Sequence, residues 1–262
     1  MNWESGIVKV RLEDRDGGQV ARVTVDNVEL RNRLGKGGKD DLIAAFGWLS
    51  TNEHLRAAVL TGAGDKSFIA GSDISEMMLQ DAEGQRVVGT KTHLACDALR
   101  QLPVPVIARI NGYCLGSGME LAAACDMRVA ADHAKFGMPE VKFGLPSGME
   151  ACLLPLLMGW GKATEIVLTG EMIDAQEAYR CGFLQRLVPA AELDASVENW
   201  VASLCVAGPR AVRLQKGLIR DWERMSIRDA IHAGIRACAD ARRTDEPVRL
   251  MRAFVDRKKN RK

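Results

Sequence analysis

Val104-Pro105-Val106-Ile107-Ala108-Arg109-Ile110 leads into Asn111-Gly112-Tyr113-Cys114-Leu115-Gly116-Ser117-Gly118-Met119-Glu120, and then into Leu121-Ala122-Ala123-Ala124. The first seven residues read as a buried strand that follows the Pro103 and Pro105 breaks. Glu120 to Ala124 is helical in composition. A Gly-rich turn joins the two. Met127 to Ala130 returns as a strand, and Phe136-Gly137-Met138-Pro139 as the next one. Strands alternating with helices in this way predict an α/β sheet protein.

The same alternation extends toward the N-terminus. Val20 to Val25 alternates apolar and polar residues, the period of a strand. Asp40-Asp41 precede Leu42, Ala45, Phe46 and Leu49 at helical spacing, with acids at the favourable helix start. Ala57 to Leu60 is a short buried strand that runs into the turn Gly62-Ala63-Gly64-Asp65. Toward the C-terminus the character changes. Asp174 caps a short helix, Ala175 to Arg180, which Gly182 ends. From Asp194 to Lys259 helical signals dominate, with a boundary near Pro189 to Asp194. No internal repeat or low-complexity linker interrupts the chain.

Composition bounds the function. The 262 residues are 47% apolar and 27% charged, ordinary values for a globular chain. A net charge of +2 argues against a general nucleic-acid binder, which carries a strongly basic face. The exception is Arg257-Lys258-Lys259-Asn260-Arg261-Lys262, read as a solvated end, with contact to an anionic ligand such as a nucleotide phosphate as the alternative. Cys96, Cys114, Cys125, Cys152, Cys181, Cys205 and Cys238 are scattered, odd in number and free of a Cys-x-x-Cys pair. They predict a reducing compartment, with most of them serving as small buried apolar residues. Met1-Asn2-Trp3-Glu4 shows no signal pattern, and no uninterrupted apolar run approaches bilayer length. The expected location is cytoplasmic.

Several catalytic signatures fail. Gly62-Ala63-Gly64-Asp65-Lys66-Ser67 imitates a dinucleotide fingerprint, but Ser67 stands at the third glycine and no clear helix follows, so a tight turn is the reading. Gly161-Lys162-Ala163 lacks the Ser/Thr and the spaced glycine of a P-loop. No Gly-x-Ser-x-Gly elbow is present. His54, His93, His133 and His232 show no zinc-ligand spacing and read as surface or hydrogen-bonded histidines. No metal site is expected.

Two Gly-rich stretches remain, Phe68-Ile69-Ala70-Gly71-Ser72-Asp73-Ile74 and Asn111 to Glu120. Small residues let a ligand approach the backbone. The free N–H groups at a helix start, with the helix dipole, favour an anion or an oxygen that becomes one. One N–H from each turn could hold a single carbonyl oxygen; two tight turns without a ligand are the alternative. Glu120 lies in the first helical turn and Glu140 follows Pro139. A partly buried pair of this kind can have its pKa values pushed apart, which separates acid from base. Each glutamate alone would more often be a surface residue.

On these segments the chain resembles the enoyl-CoA hydratase/isomerase (crotonase) family, from about Val20 to Lys259. The matching stretches are Ala57 to Gly62, Phe68 to Ile74, Pro105 to Gly112, Glu120 to Asp126, Phe136 to Glu140, Leu168 to Gly170 and Ala178 to Val188. The ordered set is far more specific than any one of them. The resemblance implies a spiral of β-β-α units over residues 1–190. It implies a helical region over 191–262 used for assembly as a homotrimer or a dimer of trimers. It assigns the oxyanion hole to the backbone N–H groups of Ser72 and Ser117, where relatives usually carry Ala or Gly. Ala70, Gly71, Asp73, Ile74 and Gly116 would bind coenzyme A and substrate, with coenzyme A entering as part of the substrate and no separate cofactor.

The resemblance makes Glu120 the base toward water and Glu140 the donor of a proton to the α-carbon of an enoyl-CoA thioester. Isomerases resembling this chain often keep only the carboxylate at the Glu140 position, so the pair favours hydration or dehydration. The loop Leu145-Pro146-Ser147-Gly148-Met149-Glu150-Ala151 departs from the Gly-Gly-Thr-Gln-like segment of common hydratases. Glu150 adds a third carboxylate, read as a cap or surface residue with a functional role as the alternative. Two further readings stand beside the hydratase: another acyl-CoA enzyme of the family (an isomerase, a dehydratase, a thioester hydrolase or a carbon–carbon bond enzyme), or a non-catalytic RNA-binding member.

Overall fold

A computed structural model describes residues 2–35 and 37–259. The strands are β1 (Asn2–Ser5), β2 (Val8–Arg15), β3 (Gly18–Val25), β4 (Leu55–Gly62), β5 (Ser67–Ile69), β6 (Val106–Ile110), β7 (Tyr113–Leu115), β8 (Met127–Ala131), β9 (Lys135–Gly137), β10 (Met172–Asp174) and β11 (Arg186–Val188). The helices are α1 (Gly38–Ser50), α2 (Ile74–Met77), α3 (Ala82–Gln101), α4 (Ser117–Ala124), α5 (Leu154–Thr169), α6 (Ala175–Arg180), α7 (Leu193–Val206), α8 (Pro209–Trp222), α9 (Ile227–Ala241) and α10 (Glu246–Lys259).

The strands form a seven-stranded sheet, β1-β2-β3-β4-β6-β8-β11, and a four-stranded sheet, β10-β9-β7-β5. An antiparallel β1-β2-β3 meander opens the large sheet, and the remaining strands join it in parallel. Three successive turns follow one plan. A strand of the large sheet (β4, β6, β8) turns a corner into a short strand of the small one (β5, β7, β9). That strand runs into helix: α2, α4 or the 3-10 turn Pro139–Phe143. The chain is a spiral of β-β-α units, with a helical region after β11.

Side-chain-to-backbone hydrogen bonds at the corners tie neighbouring segments of the spiral together. Asn111 Nδ2 donates to Gly62 O at 2.9 Å and Gly64 O at 2.6 Å. Asn32 Nδ2 donates to Ala63 O and Ser67 O at 2.9 and 2.8 Å. Both asparagines are buried and supply partners to carbonyls at the corners between the large and the small sheet. β4 and β6 are apolar on both faces because both are covered. One face meets the main core. The other packs Val20, Val59, Ile107 and Val129 against Leu193, Val197 and Val201 of α7.

Several elements differ from their sequence reading. The buried strand begins at Val106, not Val104, since Pro103 and Pro105 hold the preceding residues outside the ladder. α1 begins at Gly38, so Asp40 and Asp41 lie within its first turn. The twenty-residue α3 went unread: its buried face is Thr92, Ala95, Cys96 and Leu99, too small and polar to register as an apolar stripe. Three cysteines, Cys96, Cys114 and Cys125, are buried; the expectation that most would be is corrected by Cys152 and Cys238, which are exposed. Against the expectation that no uninterrupted apolar run approaches bilayer length, Met149–Thr169 has the length and composition of a membrane span, although Glu150, Lys162 and Glu165 interrupt it. Gly159 breaks it at φ 78° and ψ 154°, and Leu154, Met158, Ala163 and Ile166 pack into the core. The basic end from Asn260 to Lys262 lies outside the described residues.

Candidate active site

The site forms where the first two spiral turns meet the third. Gly116, the residue before α4, sits at φ 53°, a region that disfavours any side chain. A Cβ at Gly118 would lie 2.0 Å from Ile69 O, so only glycine lets α4 close on β5. That contact brings Ser72, at the end of one Gly-rich turn, against Ser117, at the end of the other. Their hydroxyl oxygens are 3.3 Å apart. Gly71 is fixed from behind by the Leu34 N–H, which donates to Gly71 O at 2.9 Å. Among the described residues neither the Ser72 N–H nor the Ser117 N–H meets a backbone acceptor. Ser117 precedes the first bonds of α4, the Met119 and Glu120 N–H groups to Gly116 O.

Ser72 and Ser117 border a cavity of about 680 Å³ that Glu120 and Glu140 also line. Glu120, in the first turn of α4, is 2% exposed and accepts from the Ala151 N–H at 3.2 Å. Burial, reinforced by the negative charge of Glu140, pushes its carboxyl up to about 8, against the pull of the Ala151 N–H and Lys39. Glu140 is half-buried on the 3-10 turn after β9 and lies over Gly116, where a Cβ would stand 2.6 Å from its Oε1. Its pKa is raised by burial and held back by its own backbone N–H and by Ser147, whose hydroxyl donates to Oε2 at 2.8 Å. Two carboxyls in unequal surroundings share one cavity with two backbone N–H groups. Such a site can move a proton while it stabilises negative charge on an oxygen.

Of the other expected site residues, Ala70, Gly71, Ile74 and Gly116 lie on the wall of this cavity. Asp73 does not. Its carboxylate caps α2 by accepting from the Ser75 N–H at 2.9 Å, and it faces an adjoining cavity of about 330 Å³. Glu150 is neither a cap nor a surface residue. It is 6% exposed, because the turn Met149–Leu153 folds back on α4, and its Oε1 lies 2.7 Å from His93 Nδ1. Two residues near the site went unread. Ser147 carries no signal beyond its place in the divergent loop. Lys39 sits in the first turn of α1, where sequence marks a lysine as solvated, yet it is 7% exposed. Among the described residues no group of three or more His, Cys, Asp or Glu is placed to hold a metal ion.

Comparison with known proteins agrees with this geometry. The profile of the enoyl-CoA hydratase/isomerase family matches residues 15–261. The short-chain-enoyl-CoA hydratase of Clostridium acetobutylicum is 33% identical over 246 residues, covering 92% of this chain and 93% of that protein. The crotonyl-CoA hydratase of Syntrophomonas wolfei is 32% identical over 242 residues, with 92% and 93% covered. The crystal structure of the enoyl-CoA hydratase from Bacillus anthracis superposes with a TM-score of 0.91 at 29% identity, covering 96% of this chain and 97% of that one. With the spiral, the paired glutamates and a match over nearly its whole length, the chain belongs to the enoyl-CoA hydratase/isomerase family.

Proposed function

We propose that the chain is an enoyl-CoA hydratase, adding water across the 2,3 double bond of an enoyl-CoA thioester. The observation that carries this reading is the pair Glu120 and Glu140 on one cavity wall beside the Ser72 and Ser117 turns. The thioester oxygen would accept from the two serine N–H groups, which stabilise the enolate-like charge as water adds. Glu120 takes a proton from the water, its oxygen bonds the β-carbon, and Glu140 delivers a proton to the α-carbon. That turnover leaves the proton on Glu120 and the charge on Glu140. The reverse reaction starts from the same state: Glu120 protonates the departing hydroxyl and Glu140 takes the α-proton. Burial favours the proton on Glu120, so hydration runs from the minor form of the singly protonated pair, with Glu120 ionised and the proton on Glu140.

Ala70, Gly71, Ile74 and Gly116 would line the path of the thioester and pantetheine; Asp73 would serve that path only by shaping α2. Coenzyme A enters with the substrate, and no further cofactor takes part in the scheme. We assign the helical region after β11 to homotrimer formation, and the seven free thiols fit a reducing, cytoplasmic location.

The test is incubation of the purified protein with crotonyl-CoA and with longer and 3-enoyl thioesters, with product identification. The expected result is loss of the conjugated-thioester absorbance and formation of a 3-hydroxyacyl-CoA. Conversion of 3-enoyl to 2-enoyl thioester without hydration would make it an isomerase instead.

A further inference from the structure

We propose that Lys39 is a positioning residue of the oxyanion hole, a buried cation that fixes the Ser72 hydroxyl and places its charge behind the two turns that receive the thioester oxygen. The inference deepens the hydratase reading, which supplies the identity of the oxygen.

Lys39 Nζ donates to Ser72 Oγ at 3.0 Å, and Ser72 Oγ lies 3.3 Å from Ser117 Oγ. An ammonium has three N–H donors and no acceptor, so the Ser72 oxygen must accept from it. The Ser72 proton is then free for Ser117 or for the cavity. The chain of donors therefore has a direction, from the cation to the two turns that border the main cavity. Ser72 borders both the main cavity and the adjoining one, whereas Lys39 borders only the latter. The lysine stands behind the serine and reaches the reacting oxygen through it.

An ammonium 7% exposed is held at a desolvation penalty that an apolar side chain would avoid. Groups face it from every side: Asp40 on its own helix, Glu76 on α2, Glu120 on α4, and Lys91 on α3. Lys91 is bonded to Asp40 at 2.6 Å. Burial lowers the Lys39 pKa while Glu76 and Glu120 hold it up, and Lys39 in turn pulls Glu120 down. The lysine thus touches both halves of the machinery, the donor turns directly and the acid/base pair through the field. In a poorly hydrated site a unit charge acts with several times its strength in water.

The test uses acetoacetyl-CoA, whose 3-oxo thioester ionises to an enolate with its own absorbance and so imitates the charge that develops during hydration. Bound enolate is titrated spectroscopically in wild type, K39M, K39R, S72A and K39M/S72A. K39M is expected to weaken enolate binding about tenfold and K39R by no more than about threefold. The double variant should be no worse than its poorer parent, because both act through one chain. On crotonyl-CoA, K39M should lower kcat about tenfold with KM within about twofold, and move the alkaline limb of the rate profile to higher pH as Glu120 loses its cation. A folded K39M that binds enolate as wild type does would overturn the assignment, leaving a purely structural lysine. If K39M does not fold, S72A decides: enolate affinity equal to wild type overturns it. Wild type that binds no enolate also overturns it. Lys39-dependent enolate binding in a protein that hydrates no enoyl-CoA would remove the hydratase reading and leave this inference standing.

Discussion

A carboxyl raised to about 8 in the folded chain is protonated at neutral pH, and keeping it so makes the fold depend on pH. Unfolded, Glu120 returns to its usual value near 4.5 and ionises first. Between those two values the folded chain holds a proton that the unfolded chain has lost, so stability falls as pH rises from about 4.5 to about 8. Glu120→Gln removes that dependence. The variant is expected to melt close to wild type at pH 5 and to be more stable at pH 8.5, by on the order of 3 kcal/mol, as thermal unfolding at the two pH values would report. Equal pH dependence in both proteins would mean that the carboxyl is not raised. The sequence placed Glu120 and Glu140 beside small residues, and that much was legible from composition. Their shared cavity was not, because it depends on Gly116 admitting Glu140 Oε1 and on Ala151 returning from a distant loop. Lys39 was invisible for the complementary reason: no periodicity marks the burial of a helix-start lysine.

At the level of elements, the site stands or falls with the approach of α4 to β5. Gly118→Ala would press a Cβ onto Ile69 O, a backbone atom that cannot swing aside. The expected outcome is a loss of roughly 3 kcal/mol or more by denaturant unfolding, with activity lost in the residual folded fraction. α8 is held to the core by a different device. Lys216 is 5% exposed and donates to Leu99 O at 3.2 Å, to Val104 O at 2.9 Å and to Asp126 Oδ2 at 2.8 Å. Lys216→Met strands these acceptors and is expected to lower stability by about 3 kcal/mol, with the hydratase rate of the folded enzyme little changed. The β-α alternation from Val104 to Ala130 was readable because central strands are apolar on both faces. α3 was not, since its contacts are made by small residues, and the β1-β2 hairpin carries polar and charged residues on its open face.

On the scale of the whole molecule, the C-terminal helices expose more apolar surface than a lone chain has use for. Ile227, Ile231 and Ile235 of α9 are spaced at helical repeats and are 82%, 59% and 61% exposed. Leu156 and Trp160 of α5 are 71% and 77% exposed. Contiguous apolar faces of this kind mark contact surfaces. Their placement accords with the proposed trimer, in which three copies of the 28.6 kDa chain would sediment together. Ile231→Glu places a charge in that face and is expected to shift the sedimentation coefficient toward the single chain. A wild-type chain that sediments alone would contradict the assembly. The helical character of the chain from Asp194 to Lys259 was legible; which faces it leaves open was not, because a helix pattern does not say which stripe its neighbours occupy.

The most direct test of the paired-glutamate account is the rate of crotonyl-CoA hydration in wild type, Glu120→Gln and Glu140→Gln across pH. The account predicts a bell-shaped profile for wild type, with its alkaline limb near the Glu120 value of about 8, and a loss of roughly 10²-fold or more in each variant at the optimum. Full activity in either glutamine variant would contradict it.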